Sequence, residues 1–133
     1  MLADYHTYPT IPASDLARAR RFYEGTLGFK PSKVASDGVM YNAKSSVVFV
    51  YPSSNAGTNK ATAASFDVGD LAATVRELRA KGVKFEEYDY PTLRTRDGIA
   101  EFDGGKGAWF KDTEGNIIAL TQLAQAYDWP CSN

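Results

Sequence analysis

Apolar positions run along this chain in two rhythms, and the change from one to the other happens at matching places in each half. Leu16, Ala19, Phe22, Tyr23 and Leu27 recur at helical spacing, while Arg18, Arg20, Arg21 and Glu24 fall on the wet face between them. Ser14 stands where a helix N-cap is needed, Asp15 suits the positive end of the helix dipole, and Gly28 is a helix stop. In the second half Leu71, Val75 and Leu78 repeat the helical spacing behind Gly69-Asp70, and Gly82 ends the run. Around both helices the pattern shortens to strands. Tyr5 to Pro12 alternates loosely, with Pro9 and Pro12 marking an edge or an end. Lys33–Ala35 and Val39–Asn42 flank the turn Ser36-Asp37-Gly38, and Ser46 to Tyr51 is rich in β-branched and aromatic residues. Thr62–Val68 and Val83–Tyr88 read as further strands, Tyr90–Gly98 as an exposed loop, and Ile99–Phe102 as the lead into the closing hairpin.

The closing stretch Phe102 to Gln122 reads as a hairpin. Ala108, Trp109 and Phe110 are the packing residues of its first strand, and Ile117 to Gln122 form its return strand. Asp112-Thr113-Glu114-Gly115-Asn116 between them is turn chemistry, because Asp bonds its own downstream backbone and Gly and Asn tolerate positive φ. The order is strand, helix, strands, then the same again. Asp15-Leu16 and Asp70-Leu71 open the helices about 55 residues apart, which makes an internal βαβββ repeat. The pattern predicts one α+β domain: a first module over about 5–52, a loop over 53–60, a second module over about 61–123 and a tail over 124–133. Trp129-Pro130 in that tail offers an indole for packing. A helix covers one face of each sheet, so the other face must meet a partner or enclose something.

Composition narrows the classes. With 44% hydrophobic and 23% charged residues the chain has the make-up of a globular domain able to bury a core. Its net charge of −1, without any Lys/Arg block, argues against nucleic acid as partner. The longest large-apolar run, Val47 to Tyr51, is too short to cross a bilayer, and no basic-then-apolar leader opens the chain. The single cysteine, Cys131, forbids an internal disulfide and suits a reducing cytoplasm; near the end of the chain it reads as an exposed bystander. Gly104-Gly105-Lys106-Gly107 lacks the phosphate-loop pattern and lies between strands.

Ser14-Asp15-Leu16, Arg21-Phe22-Tyr23 and Leu27-Gly28-Phe29 together resemble the first-helix signature of the vicinal oxygen chelate superfamily, the group of glyoxalase I, bleomycin-resistance proteins, fosfomycin-resistance enzymes and extradiol dioxygenases. Trp109 to Asn116 resembles its final hairpin, although Asp-Pro-x-Gly-Asn is commoner there than Asp112-Thr113-Glu114-Gly115-Asn116. The resemblance spans about Tyr5 to Leu123 and implies two βαβββ modules curled into a half-open barrel, usually paired as a homodimer. In the family's metalloenzymes four His, Gln or Glu side chains on the first and fourth strands of each module hold a divalent ion. By register those positions fall here on Tyr8, Phe49, Ala63 and Ala119. Phenyl and methyl groups ligate nothing and a phenol is an uncommon ligand, so the expectation is no metal and no cofactor. A slip of one residue restores no ligand set. His6, the only histidine, shares strand parity with Tyr8, but one imidazole is not a metal site.

The same positions, read as a floor, are apolar and partly aromatic. Alternation adds Val47 and Tyr51 beside Phe49, Ser65 and Asp67 after Ala63, and Ile117 and Thr121 beside Ala119, while Trp109 or Phe110 forms a wall. Apolar walls with a few polar groups are the make-up of a small-molecule site. The resemblance and this lining together point to a metal-free protein that binds an aromatic or amphipathic ligand, like the bleomycin-resistance branch. A cationic drug would want an acidic cavity, for which Asp67 and Glu101 are the obvious candidates, so bleomycin itself is not specified. The alternative is an enzyme: a glyoxalase-like lyase or isomerase, or metal-independent chemistry with Tyr8, His6 or Asp67 as acid or base. A third reading is a regulatory partner with a vestigial cavity.

Overall fold

The computed structural model describes residues 1–130; Cys131 lies outside them. After a 3₁₀ turn at Leu2–Asp4 the chain forms β1 (Thr10–Ala13), α1 (Leu16–Arg20), β2 (Pro31–Ala35), β3 (Gly38–Ala43) and β4 (Ser46–Pro52). The second half supplies β5 (Thr62–Asp67), α2 (Leu71–Ala80), β6 (Asp89–Tyr90), β7 (Leu93–Arg94), β8 (Ile99–Phe102), β9 (Gly105–Lys111) and β10 (Ile117–Leu123). The first sheet has the order β1-β4-β3-β2 and the second β5-β10-β9-β8, so each half repeats one topology. In both sheets the strand before the helix pairs parallel with the last strand, and the rest are antiparallel.

Local chemistry accounts for the element ends. Asp15 and Asp70, not Ser14, are the N-caps; their carboxylates accept from the Arg18 and Ala73 N–H groups three residues on. Serine would serve as well, but Ser14 is drawn to Glu114 across the fold. Beyond Arg20 the first helix widens into a π-helical turn over Arg21–Thr26, where the Leu27 N–H reaches back to the Phe22 carbonyl at 3.0 Å. The first strand starts at Thr10 rather than Tyr5. Pro9 has no N–H for the ladder, although its carbonyl accepts from Phe49 N–H at 3.0 Å, and Pro12 is tolerated because β1 is an edge. The stretch Val83–Tyr88 is not a full strand. β8 occupies the Gly105–Ala108 part of the β9 edge, leaving Phe85 a single bridge to Phe110 and Glu86 N–H a bond to the Trp109 carbonyl. Within the expected loop, Asp89–Tyr90 and Leu93–Arg94 pair as a small hairpin.

The two halves share one apolar cluster. Ile11, Val39, Tyr41, Val48 and Val50 from the first sheet join Phe110, Ile118 and Leu120 from the second, with Tyr23, Leu71 and Val75 from the helical segments. Phe29 meets Phe66 at 5.6 Å and Phe22 meets Phe110 at 6.3 Å between ring centroids, so aromatic contacts cross from half to half. A polar seam runs beside them. Tyr23 Oη donates to Asp112 Oδ2 at 2.6 Å, and the Glu114 carboxylate receives Ser14 Oγ, Asp15 N–H and the Arg18 guanidinium. Asn116 Nδ2 donates to the Pro12 carbonyl at 2.8 Å. The turn that reads locally as hairpin chemistry therefore also clamps the second half onto the first helix.

Candidate functional site

Each sheet keeps its helix-free face for aromatic side chains. On β4 alternation sends Val48 and Val50 into the core and leaves Val47, Phe49 and Tyr51 half-buried on the opposite face. Phe49 and Tyr51 stack at 6.1 Å with only 7° between their planes. The Phe49 ring lies directly over Gly38, on the neighbouring strand, where any Cβ would collide with it. On the second sheet Ala108 and Phe110 face the core, and Trp109, between them, faces the other way. This settles which of Trp109 and Phe110 stands on the open face. Trp109 meets Tyr88 edge-on at 5.7 Å, and Tyr88 stacks on Tyr90 at 5.8 Å. Burial, then the nearby Glu86 carboxylate and the Tyr90 phenol, raise the Tyr88 pKa, which keeps its phenol a hydrogen-bond donor.

Strand register fixes where the other sequence-derived positions lie. Ser65, Ala119 and Trp109 form one row across β5, β10 and β9, with Ala119 buried, and Asp67, Thr121 and Gly107 form the next row. Ala63 is the extra residue of a bulge: β10 steps from partner Thr62 to partner Ala64 between Ile117 and Ile118. Tyr8 precedes β1 and is 45% exposed; the β1 residue beside Phe49 is Thr10. His6 likewise lies outside any strand, so strand parity does not orient it. Tyr88, Tyr90 and the tail residues were not among the positions that register picked out. The alternation of Tyr88 and Tyr90 was a usable signal, whereas nothing local marks the tail.

Residues of β4 and β5 come together in one place. There a cleft of about 730 Å³ lies between Pro9, the β3–β4 turn with the start of β4, and the end of β5. Val47, Ser65 and Asp67 line it, with Phe66 and Val48 deeper and Lys44 on the turn. The tail forms its remaining wall: Tyr127 and Trp129 pair edge-on at 4.6 Å, and Trp129 Nε1–H donates to Asp67 Oδ2 at 2.7 Å. Phe49, Tyr51, Trp109, Ala119 and Thr121 are not part of this cleft's lining.

The side chains at the four positions that the family resemblance assigns to a divalent ion are one phenol, one phenyl and two methyl groups, and these do not fit a metal. Among the described residues no three His, Cys, Asp or Glu side chains converge. No helix among them is long and apolar enough to cross a membrane.

Comparison with known proteins agrees with this architecture. No curated protein matches the sequence. Solved structures of the same fold include TnmS3, an antibiotic binding protein from Streptomyces sp. CB03234, at 20% identity and a TM-score of 0.67, covering 93% of this chain and 99% of that one. A glyoxalase family protein from Enterococcus faecalis aligns at 21% identity and a TM-score of 0.69, over 92% and 100% of the two chains. A bleomycin-binding protein solved with bleomycin aligns at 19% identity and a TM-score of 0.68, over 89% and 98%. The sequence model of one family matches residues 6–120, and with two mixed four-stranded sheets repeating one topology, this chain belongs to the glyoxalase/bleomycin resistance protein/dioxygenase superfamily.

Proposed function

We propose that this protein binds a small aromatic or amphipathic molecule without a metal or other cofactor, against the helix-free faces of its sheets, in the cytoplasm. The observation that carries the reading is the half-buried aromatic pair on each open face, Phe49 with Tyr51 and Trp109 with Tyr88, set among small or apolar neighbours. Flat rings held in fixed orientation present large contact area at little entropic cost, which suits stacking on a planar ligand. The bleomycin-binding and antibiotic-binding proteins of the same fold support a small-molecule-binding role. A glyoxalase-type lyase would need convergent nitrogen or oxygen donors where this chain has Phe49, Ala63 and Ala119. The two aromatic pairs lie on different sheets, and a second copy covering the open faces would turn them into one enclosed site.

A thermal-shift screen of planar aromatic compounds tests this, because a ligand bound only by the folded state raises the melting temperature. At least one such compound should shift the midpoint, and Phe49→Ala should weaken it about tenfold. The same substitution should cost less than the ~3–5 kcal/mol typical of a fully buried Phe. Elemental analysis should find no stoichiometric divalent metal. A Phe49→Ala variant with native ligand affinity, or about one zinc, nickel or iron per chain, would count against the reading.

A further inference from the structure

The C-terminal tail walls one side of the cleft and is held there by little. Among the described residues between 125 and 130, the only hydrogen bond to the rest of the protein is Trp129 Nε1–H to Asp67 Oδ2. Trp129 is 51% exposed and Tyr127 57%, so about half of each residue stays open to water. Asp67, at the end of β5, pairs with no cation among the described residues, and Lys44 is the one other charged group lining the space. Phe66, Val47 and Val48 give the same lining its apolar part. A planar ring at the wall of a partly apolar cleft, with its N–H donor aimed at a carboxylate, is the arrangement a free ligand of the same chemistry would adopt.

We propose that this cleft is a binding site for a planar aromatic amine, with Asp67 as its counter-ion and Trp129 as a tethered surrogate that the ligand displaces. The inference rests on the small-molecule reading above and adds a second place for such a ligand, apart from Phe49 and Trp109. An ammonium group makes a stronger charge-assisted bond to Asp67 than the neutral indole N–H does, so the ligand gains where the tail loses. The tail then acts as a self-competitor. The affinity measured for the intact chain is the intrinsic one reduced by the fraction of molecules whose cleft is open.

Tryptamine is a suitable probe, with indole-3-acetate as the anionic counterpart. The chain has two tryptophans, so ¹⁵N-labelled protein gives two indole N–H signals, and the unlabelled probe contributes none. Saturating tryptamine should move the Trp129 signal to the position it takes in Asp67→Ala, where the indole N–H has lost its acceptor. Trp129→Phe, which keeps a ring but lacks the donor, should bind tryptamine about three- to tenfold more tightly. Asp67→Asn should bind it about tenfold more weakly or worse, and indole-3-acetate should not compete. A Trp129 signal unmoved at saturation, or weaker binding by Trp129→Phe, overturns the proposal. If aromatic binding then still depends on Phe49, the small-molecule reading stands without the clasp. If tryptamine, indole-3-acetate and the wider aromatic screen all fail to bind, both readings fall.

Discussion

Glu114 shows how much one side chain can carry when its surroundings are fully used. The carboxylate is buried, and burial alone would raise its pKa. Hydrogen bonds from the Arg18 guanidinium, the Asp15 N–H and the Thr113 hydroxyl outweigh that effect and pull it from the ordinary 4.5 down to about 2. A folded-state pKa below the unfolded one means stability that is complete above about pH 4.5 and lost as pH falls toward 2. Glu114→Gln keeps the shape but removes the charge facing Arg18, and should cost about 2 kcal/mol at pH 7. Urea denaturation across pH should show the gap between variant and parent closing over that acid window. A gap that stays constant down to pH 2 would mean Glu114 acts through shape alone. Tyr23 is a companion case: its buried phenol, bonded to Asp112, is held far above its usual pKa and stays a donor throughout.

The helices owe their starts to single carboxylates. Asp70 caps α2 by accepting from Ala73 N–H at 3.1 Å, and Thr74 Oγ1 adds a bond to the Asp70 carbonyl. Asp70→Ala should lose about 1 kcal/mol, and Asp70→Asn, which still caps, should lose much less. Equal losses in the two variants by chemical denaturation would point to the charge near the helix end rather than the cap. At this scale the sequence was informative. The two helices, the Asp112–Asn116 turn and the strands around them follow from period and turn chemistry. The extents of β1 and of the Val83–Tyr88 segment did not follow, because a strand exists only where a neighbour offers hydrogen bonds. Pro9 ends one ladder, and β8 fills the edge that the other segment would need.

For the whole molecule, the shared core joins the halves through their helix-covered sides, while the aromatic faces stay open. Tyr90, Phe102 and Tyr8 are each 45% exposed or more in the single chain. Two copies that cover these faces would remove that surface from water and shield the sheet edges. Light scattering at micromolar concentration should therefore give twice the 14.5 kDa of one chain, and a monomer mass would remove the second copy from the proposed site.

Sequence alone determined the repeat, the two helices and the closing turn with its flanking strands. Periodicity, capping and turn chemistry are properties of short stretches, so short stretches reveal them. Alternation also put Val47, Phe49 and Tyr51 on one face of their strand, since it needs no knowledge of partners; burial shows that the other face meets the core. Tertiary structure decided the rest. Whether Trp109 or Phe110 faces the open side depends on the register of β9 against β10. The bulge at Ala63 comes from a mismatch between two strands more than fifty residues apart. Glu114 reads as a turn residue until Arg18, 96 residues away, is brought against it. The Asp67–Trp129 contact joins residues 62 apart with no local pattern to announce it. Interactions between distant segments form only once the chain has closed on itself, and no window of sequence contains both partners.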